Sequence, residues 1–254
     1  MEYGLKGKTA IVTGSTNGIG AAIIDKFVEE GANVVISARK KAEDTDEKID
    51  RYTKQGVKAI FVPCDVAIES DIDNLFKETL SQIGSIDIIV NNAGVWLTSY
   101  IKDMPGEDFR RTLETNLVGP FMICQRFVNY CIDNNKKGKI INMTSQAAFH
   151  GSTSGHAHYA SSKAGLVGFT ISLAREVARY GINVNAVAPG IVESKMVSAI
   201  VDNPERRAKY LERIPIGRIA TTEDIAKVVV FLASTQADYM TGATLDATGG
   251  MLMR

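Results

Sequence analysis

The stretch TAIVTGSTNGIG, residues 9–20, joins a short β-branched apolar run to a glycine-rich turn and then to an amphipathic segment. In such a turn, Gly14 permits a tight bend, Gly18 lets the backbone approach a pyrophosphate, and Gly20 lets a helix pack closely on the sheet. The spacing is GxxxGxG rather than GxGxxG, so an ordinary glycine turn is the alternative. The strand–turn–helix context favours a dinucleotide-binding loop, with phosphate at the positive helix terminus. The loop residues predicted to hold the cofactor are Gly14, Ser15, Thr16, Asn17, Gly18, Ile19 and Gly20.

Similar apolar runs recur along the chain, separated by longer amphipathic segments. Continuous apolar runs are typical of strands that are buried on both faces of a parallel sheet. We therefore predict an α/β fold with one doubly wound Rossmann-type sheet, in a single domain covering residues 1–254. An insertion around residues 193–215 is expected to lie over the carboxyl edge of the sheet. The predicted strands are Thr9–Thr13, Asn33–Ala38, Val57–Val62, Ile86–Val90, Lys139–Met143, Ile182–Val187 and Ala243–Asp246.

Two helices carry clear start or stop signals. Apolar residues from Ile72 to Ile83 recur at helical spacing, and Gly84 is expected to end that helix. Thr221, followed by Glu223 and Asp224, is a capping-type start for a helix through residues 225–232. The charged stretch 39–50 is interpreted as a solvated loop and helix face.

Composition excludes several classes of partner. The chain has 29 basic and 29 acidic residues, so neither nucleic acid nor an anionic membrane is favoured as the main partner. Cys64, Cys124 and Cys131 show no CxxC spacing, so we expect no metal site or disulfide framework. No signal-peptide core is present, and no apolar run approaches about 18 residues. We therefore expect a cytoplasmic protein.

The end of the second predicted strand bears on the choice of cofactor. NAD-binding folds usually place an acid there for the ribose 2′-hydroxyl. Here Ser37 and Ala38 are followed by Arg39 and Lys40, with no carboxylate. A guanidinium can bind a 2′-phosphate that a carboxylate would repel. We predict that NADP(H) is preferred and that NAD(H) is possible; surface charge without a ligand is the alternative.

A tyrosine and a lysine stand four residues apart at Tyr159 and Lys163, which places them on one face of a helix. This spacing means little alone, because it occurs by chance in many chains. Its meaning comes from Ser145, just after a predicted strand, from Asn116, and from the NNAG sequence at residues 91–94. Together these residues predict a catalytic constellation.

The chain resembles the short-chain dehydrogenase/reductase family over essentially its whole length. The matching motifs are TGxxxGIG at 13–20, Asp65-Val66, NNAG at 91–94, Asn116, Ser145, YxxxK at 159–163 and Pro189-Gly190 followed by Ile191-Val192. The resemblance implies a seven-stranded parallel sheet in the order 3-2-1-4-5-6-7 and a homotetramer. It also implies an enzyme that moves hydride between a nicotinamide and a carbonyl or alcohol.

The resemblance also implies a role for each site residue. Tyr159 would be the general acid/base, and Lys163 would lower its pKa and hold the nicotinamide ribose. Ser145 would bind the substrate oxygen, and Asn116 would hold a water that passes protons to Lys163. The other implied cofactor contacts are Asp65 and Val66 near the adenine, Asn91, Asn92, Ala93 and Gly94 near the ribose, and Pro189, Gly190, Val192 and Ser194 on the nicotinamide side.

The substrate stays open at this level. IPIGR at 214–218 and the C-terminal sequence resemble 3-oxoacyl-carrier-protein reductases, but the same phrases occur in sugar and polyol dehydrogenases of the family. A non-catalytic nucleotide-binding regulator is a further alternative. Side chains that either line the substrate pocket or serve packing are Trp96, His156, His158, Met196 and Val197.

Overall fold

The computed structural model describes residues 3–194 and 202–254. Its seven strands form one parallel sheet in the order β3-β2-β1-β4-β5-β6-β7, which confirms the predicted fold class and strand order. The strands are β1 (Thr9–Thr13), β2 (Asn33–Ala38), β3 (Ala59–Pro63), β4 (Ile88–Asn91), β5 (Gly138–Met143), β6 (Ile182–Pro189) and β7 (Thr244–Ala247).

Helices cover both faces of the sheet. Within the described ranges, the α-helices are α1 (Gly18–Glu29), α2 (Thr45–Lys54), α3 (Glu69–Gln82), α4 (Gly106–Leu113), α5 (Gly119–Asp133), α6 (Ala147–His150), α7 (Ala157–Val177), α8 (Pro204–Leu211) and α9 (Thr222–Ala233). A π-helical turn at Glu114–Val118 joins α4 to α5. No helix in the described parts of the chain is long and apolar enough to cross a membrane.

Successive residues of β1 face opposite sides of the sheet and so belong to two separate cores. Val12 packs in the core that includes Phe27 of α1 and Val229 of α9. Ile11 packs in the other, which includes Phe127 of α5. Because both faces of the strand are buried, continuous apolar sequence is what the fold requires, as predicted.

Strand and helix ends differ from the predictions by a few residues. β4 begins at Ile88 rather than Ile86, because the Asp87 carboxylate turns back to accept a hydrogen bond from the Thr9 backbone N–H at 3.0 Å. α9 begins with the predicted capping box, in which Thr221 and Asp224 satisfy each other's backbone N–H groups. The expected insertion at 193–215 contains α8, and Met196 and Val197 lie outside the described residues.

Candidate active site

The carboxyl ends of the strands open into one large cleft of about 1210 Å³. Such a position, where the strand order reverses between β1 and β4, is where ligands bind in open α/β sheets. The predicted site residues that line it are Gly14, Thr16, Asn17, Gly18, Ile19, Gly20, Arg39, Lys40, Asp65, Val66, Asn92, Ala93, Gly94, Ser145, Tyr159, Lys163, Pro189, Gly190, Val192 and Ser194.

The β1–α1 loop has the shape of a phosphate cradle. Gly14 and Gly18 adopt φ of +64° and +58°, values that glycine tolerates best. A Cβ at Gly14 would lie 2.8 Å from the Cα of Ala93, whereas a Cβ at Gly18 would enter open space. The Asn17 side chain caps no backbone N–H of α1, so those donors remain open to an anion. The loop therefore fits a pyrophosphate.

Two predicted contacts lie beneath this loop rather than in the cleft. The Ser15 hydroxyl donates to the Val12 carbonyl at 2.6 Å and accepts from the Ser37 backbone N–H at 3.0 Å. The Ser37 hydroxyl is itself buried without a hydrogen-bond partner. Both serines thus tie the end of β1 to β2, and neither lines the cleft.

The end of β2 places two free cations beside the loop. Arg39 and Lys40 are exposed, line the cleft, and form no ion pair with any carboxylate in residues 3–194 or 202–254. By contrast, the next lysines along the chain are neutralised: Lys41 pairs with Asp46, and Lys48 pairs with Asp44. Within the described residues, the charges of Arg39 and Lys40 are therefore not neutralised by an ion pair.

Three side chains meet at the opposite end of the cleft. Tyr159 and Lys163 project from α7, and the Lys163 Nζ lies 5.8 Å from the centre of the Tyr159 ring. Ser145 follows β5, and its side chain acts on the Tyr159 phenol by lowering its pKa. Lys163 Nζ also donates to the Met143 carbonyl at 2.7 Å. The phenol, the alcohol and the amine therefore form one cluster.

The electrostatics of this cluster differ from the simplest expectation. Burial raises the pKa of Tyr159, and the interaction with Ser145 only partly opposes this effect. Burial lowers the pKa of Lys163 to about 8, since its ammonium is removed from water. The chain by itself therefore keeps Tyr159 protonated near neutrality. The predicted drop in its pKa needs a further positive charge in the cleft.

Asn116 lies in the π-helical turn and does not line the cleft. Its Oδ1 accepts from the Val95 N–H at 2.8 Å, while its Nδ2 donates to the Val95 carbonyl at 3.0 Å and to the Ser162 hydroxyl at 3.1 Å. π-turns of this kind are frequent at functional sites. The side chain joins the segment after NNAG to α7, one residue before Lys163.

The two asparagines of NNAG point in different directions. Asn92 donates to the carbonyls of Thr13 and Gly14, at 2.9 and 3.0 Å, and holds the phosphate loop. Asn91 is buried and donates to Asn142 Oδ1 at 2.8 Å. Asn91 thus lies in the core between β4 and β5 rather than beside the ribose that the resemblance implied for it.

Three of the remaining candidates are divided between the cleft and the core. Trp96 lines the cleft and stacks on His156 with ring centroids 4.4 Å apart. His156 Nδ1 lies 2.8 Å from the Leu97 carbonyl oxygen, which fixes the stack. His158 is fully buried, both ring nitrogens lack partners, and burial lowers its pKa.

Several cleft residues carried no signal in the sequence. Gln146 and Met251 line the cleft, as do Tyr210 and Arg213 at the end of α8. They come from the loop after β5, from α8 and the residues just after it, and from the C-terminal segment. Since only the tertiary fold brings these segments together, no local spacing could have identified them.

Comparison with known proteins identifies the family of this chain. The family described as enoyl-(acyl carrier protein) reductase matches residues 14–252. The chain belongs to the short-chain dehydrogenase/reductase family. As a member of this family it is an oxidoreductase that acts on alcohol and carbonyl groups.

Relatives within this family point to more than one substrate. The chain is 40% identical to a 3-oxoacyl-[acyl-carrier-protein] reductase of Aquifex aeolicus, across 99% of this chain and all of that one. A gluconate 5-dehydrogenase of Burkholderia cenocepacia, solved with NADP and tartrate, superposes with a TM-score of 0.91 at 31% identity, over 98% and 97% of the two chains. A short-chain dehydrogenase/reductase of Mycobacterium marinum superposes with a TM-score of 0.92 at 31% identity, over 100% and 98%.

Proposed function

We propose that this short-chain dehydrogenase/reductase interconverts a carbonyl compound and a secondary alcohol with NADP(H), using Tyr159, Ser145 and Lys163. The observation that carries the proposal is the cleft that joins this cluster to an uncapped helix terminus and to two cations that form no ion pair among the described residues. One end suits a phosphorylated dinucleotide, and the other suits proton transfer to an oxygen atom.

The cofactor contacts follow from the placement of the lining residues. The loop at 14–20 would hold the pyrophosphate, and Arg39 and Lys40 would hold the 2′-phosphate. Asp65, Val66, Asn92, Ala93 and Gly94 would surround the adenosine, while Pro189, Gly190, Val192 and Ser194 would face the nicotinamide. When bound, the cofactor supplies the hydride for carbonyl reduction or accepts it from the alcohol.

The protein's own groups manage the substrate oxygen. Ser145 orients that oxygen by a hydrogen bond and stabilises the charge that develops on it. Tyr159 is protonated in the free chain, so it is ready to donate its phenolic proton as the carbonyl is reduced. The Lys163 ammonium stabilises the phenolate that results. The hydrogen bond to Met143 keeps this ammonium in place.

Preference for the phosphorylated cofactor rests on charge. Desolvated charge-assisted hydrogen bonds to phosphate are about twice as strong as neutral ones. Arg39 offers such bonds without first having to break an internal ion pair, and Ala38 leaves room beside it. NAD(H) lacks the 2′-phosphate and would bind more weakly. It stays a secondary cofactor in this proposal.

Two substrate classes suit the proposed reaction, and each has some support. The relatives at 37–40% identity favour 3-oxoacyl thioesters carried by an acidic protein. Such docking needs free surface cations. Lys139 is paired with Asp238 at 2.6 Å, but Arg175 and Arg179 are exposed and form no ion pair with a carboxylate in residues 3–194 or 202–254. The solved gluconate 5-dehydrogenase favours hydroxy acids.

We also propose that the enzyme is a cytoplasmic homotetramer. Phe121 on α5 and Ile171 on α7 are 43% and 40% exposed, which is high for large apolar side chains. The three cysteines are free and buried, which suits a reducing compartment. Light scattering should give about four times 27.5 kDa. A stable monomer at micromolar concentration would refute the tetramer.

The direct test of the function is turnover of a carbonyl panel with NADPH. The Tyr159→Phe variant serves as the inactive control, and cofactor binding is measured separately. The expected result is NADPH oxidation by the unmodified protein and a rate about 10²–10⁴-fold lower for the variant. If both proteins bind NADPH and neither oxidises it with any carbonyl, the proposal fails.

A further inference from the structure

Gln146 occupies a distinctive place in the cleft. It directly follows Ser145, lines the cleft, and is only 7% exposed. Its backbone is held on both sides: the N–H donates to the Pro189 carbonyl at 3.0 Å, and the carbonyl accepts from the Phe149 N–H at 3.0 Å. The side-chain amide oxygen, by contrast, is buried and has no hydrogen-bond partner among residues 3–194 and 202–254.

A buried amide oxygen without a partner is unfavourable unless a ligand supplies the missing donor. Consecutive α-carbons lie about 3.8 Å apart, so the side chain of Gln146 starts within one residue of the serine that holds the substrate oxygen. A donor on the substrate, close to the reacting carbon, is therefore within reach of this oxygen. A hydroxyl group on the neighbouring carbon satisfies this condition.

We propose that Gln146 accepts a hydrogen bond from a hydroxyl on the carbon next to the reacting carbon, and that the substrate is a short polyhydroxy acid. In its oxidised form this substrate is an α-hydroxy ketone, and in its reduced form it is a vicinal diol. The proposal rests on the proposed function, since Ser145 and Tyr159 must hold the reacting oxygen.

The acyl alternative does not meet the same condition. A 3-oxoacyl thioester carries a methylene on one side of its ketone and an alkyl chain on the other. Neither side offers a donor, so the Gln146 oxygen would stay unpaired. Sites built to hydrogen-bond a substrate hydroxyl reject analogues that lack it, because the buried polar group is then left without a partner.

A second feature of the cleft suits the carboxylate of the proposed polyhydroxy acid. Arg213 lines the cleft, and its guanidinium lies 5.7 Å from the Tyr210 ring centre. No carboxylate within residues 3–194 or 202–254 pairs with it. Ser152 and Thr153 add hydroxyls to the same cleft. A cation without an ion pair among the described residues, in a cleft that also carries hydroxyl side chains, suits a carboxylate on a hydroxylated chain.

Matched substrates separate the hydroxyl from the rest of the molecule. We suggest measuring kcat/KM with NADPH for acetoin and for 2-butanone, which differ by one hydroxyl next to the ketone. We expect acetoin to be favoured at least tenfold. 5-Ketogluconate and fructose form a second pair for the carboxylate, and acetoacetyl-N-acetylcysteamine represents the acyl class.

Variants then assign each preference to a residue. Gln146→Met keeps the length of the side chain but lacks the acceptor. It should lower kcat/KM for acetoin at least tenfold and leave 2-butanone within twofold. Arg213→Gln should raise the KM for 5-ketogluconate at least tenfold with little change for fructose. Gln82→Met, on an exposed helix face, is the matched control and should change neither ratio.

The outcomes distinguish this inference from the function on which it rests. If the protein favours acetoacetyl-N-acetylcysteamine over 5-ketogluconate, or if Gln146→Met slows both small ketones equally, the inference is overturned while the NADPH-dependent reductase stands. If none of the five compounds is reduced by protein that binds NADPH, both fail. Thermal midpoints of the variants within a few degrees of the unmodified protein show that each is folded.

Discussion

The Lys163 ammonium donates a 2.7 Å hydrogen bond to the Met143 carbonyl, which joins the catalytic helix α7 to the end of β5. Met143 is two residues before Ser145, so the same contact fixes the distance between the amine and the alcohol. The cost is burial of a charge, which lowers the pKa of Lys163 to about 8. Function is thus obtained at some expense of stability.

The first prediction concerns that expense. The ordinary pKa of lysine is 10.5, so the unfolded chain holds a proton that the folded chain has lost between pH 8 and 10.5. As pH rises from 8 to 10.5, the free energy of unfolding of the unmodified protein should therefore increase by about 3 kcal/mol relative to that of Lys163→Met. Urea unfolding of both proteins at pH 7, 8, 9 and 10 measures this difference.

Comparing the protein with Lys163→Met cancels the contributions that other titrating groups make to the pH dependence of stability. Burial raises the pKa of Cys124 to about 12, which makes the folded state less stable as pH rises above 9, but both proteins share this effect. A stability difference that stays constant from pH 7 to pH 10 would contradict a buried, depressed lysine.

The second prediction concerns the end of β2. The unmodified protein should show kcat/KM at least tenfold higher with NADPH than with NADH, or about 1.4 kcal/mol. The double variant Ala38→Asp, Arg39→Leu should invert this preference, because it installs an acceptor for a 2′-hydroxyl and repels a phosphate. Lys41→Leu is the matched control, since Lys41 pairs with Asp46. If the unmodified protein prefers NADH, the assignment of Arg39 to the 2′-phosphate is wrong.

The third prediction concerns Asn116. Removal of its amide in Asn116→Ala breaks the bonds to both backbone groups of Val95 and to Ser162. We expect a loss of about 2–4 kcal/mol in the free energy of unfolding, and weaker NADPH binding because the segment after NNAG loosens. Asn74→Ala on the exposed face of α3 is the control. Stability and affinity equal to the control would show that these bonds matter little.

Much of the fold could be predicted because the buried strands of the sheet are continuous apolar runs in the sequence. β1 and β2 were predicted at their observed bounds, since both faces of these strands are buried and the apolar runs are continuous. β3 begins at Ala59, two residues later than predicted, because propensity alone does not locate the first ladder partner.

The site could be predicted only where chemistry follows local spacing. Tyr159 and Lys163 are four residues apart on one helix, so their proximity could be predicted from the sequence alone. The different directions of the Asn91 and Asn92 side chains could not be predicted from the sequence. They depend on which hydrogen-bond partner each side chain reaches at the end of β4. Gln146 and Arg213 line the same cleft only after the loop and α8 have folded over the sheet.

The most direct test of the central claim is transfer of hydride by Tyr159→Phe in a single turnover. This variant removes the proton donor and very little volume, so NADPH affinity should stay within about twofold of the unmodified protein. The rate of NADPH oxidation with a saturating carbonyl should fall by about 10²–10⁴-fold. A variant that keeps more than about a tenth of the unmodified rate, with chemistry limiting, would show that Tyr159 is not the acid of this reaction.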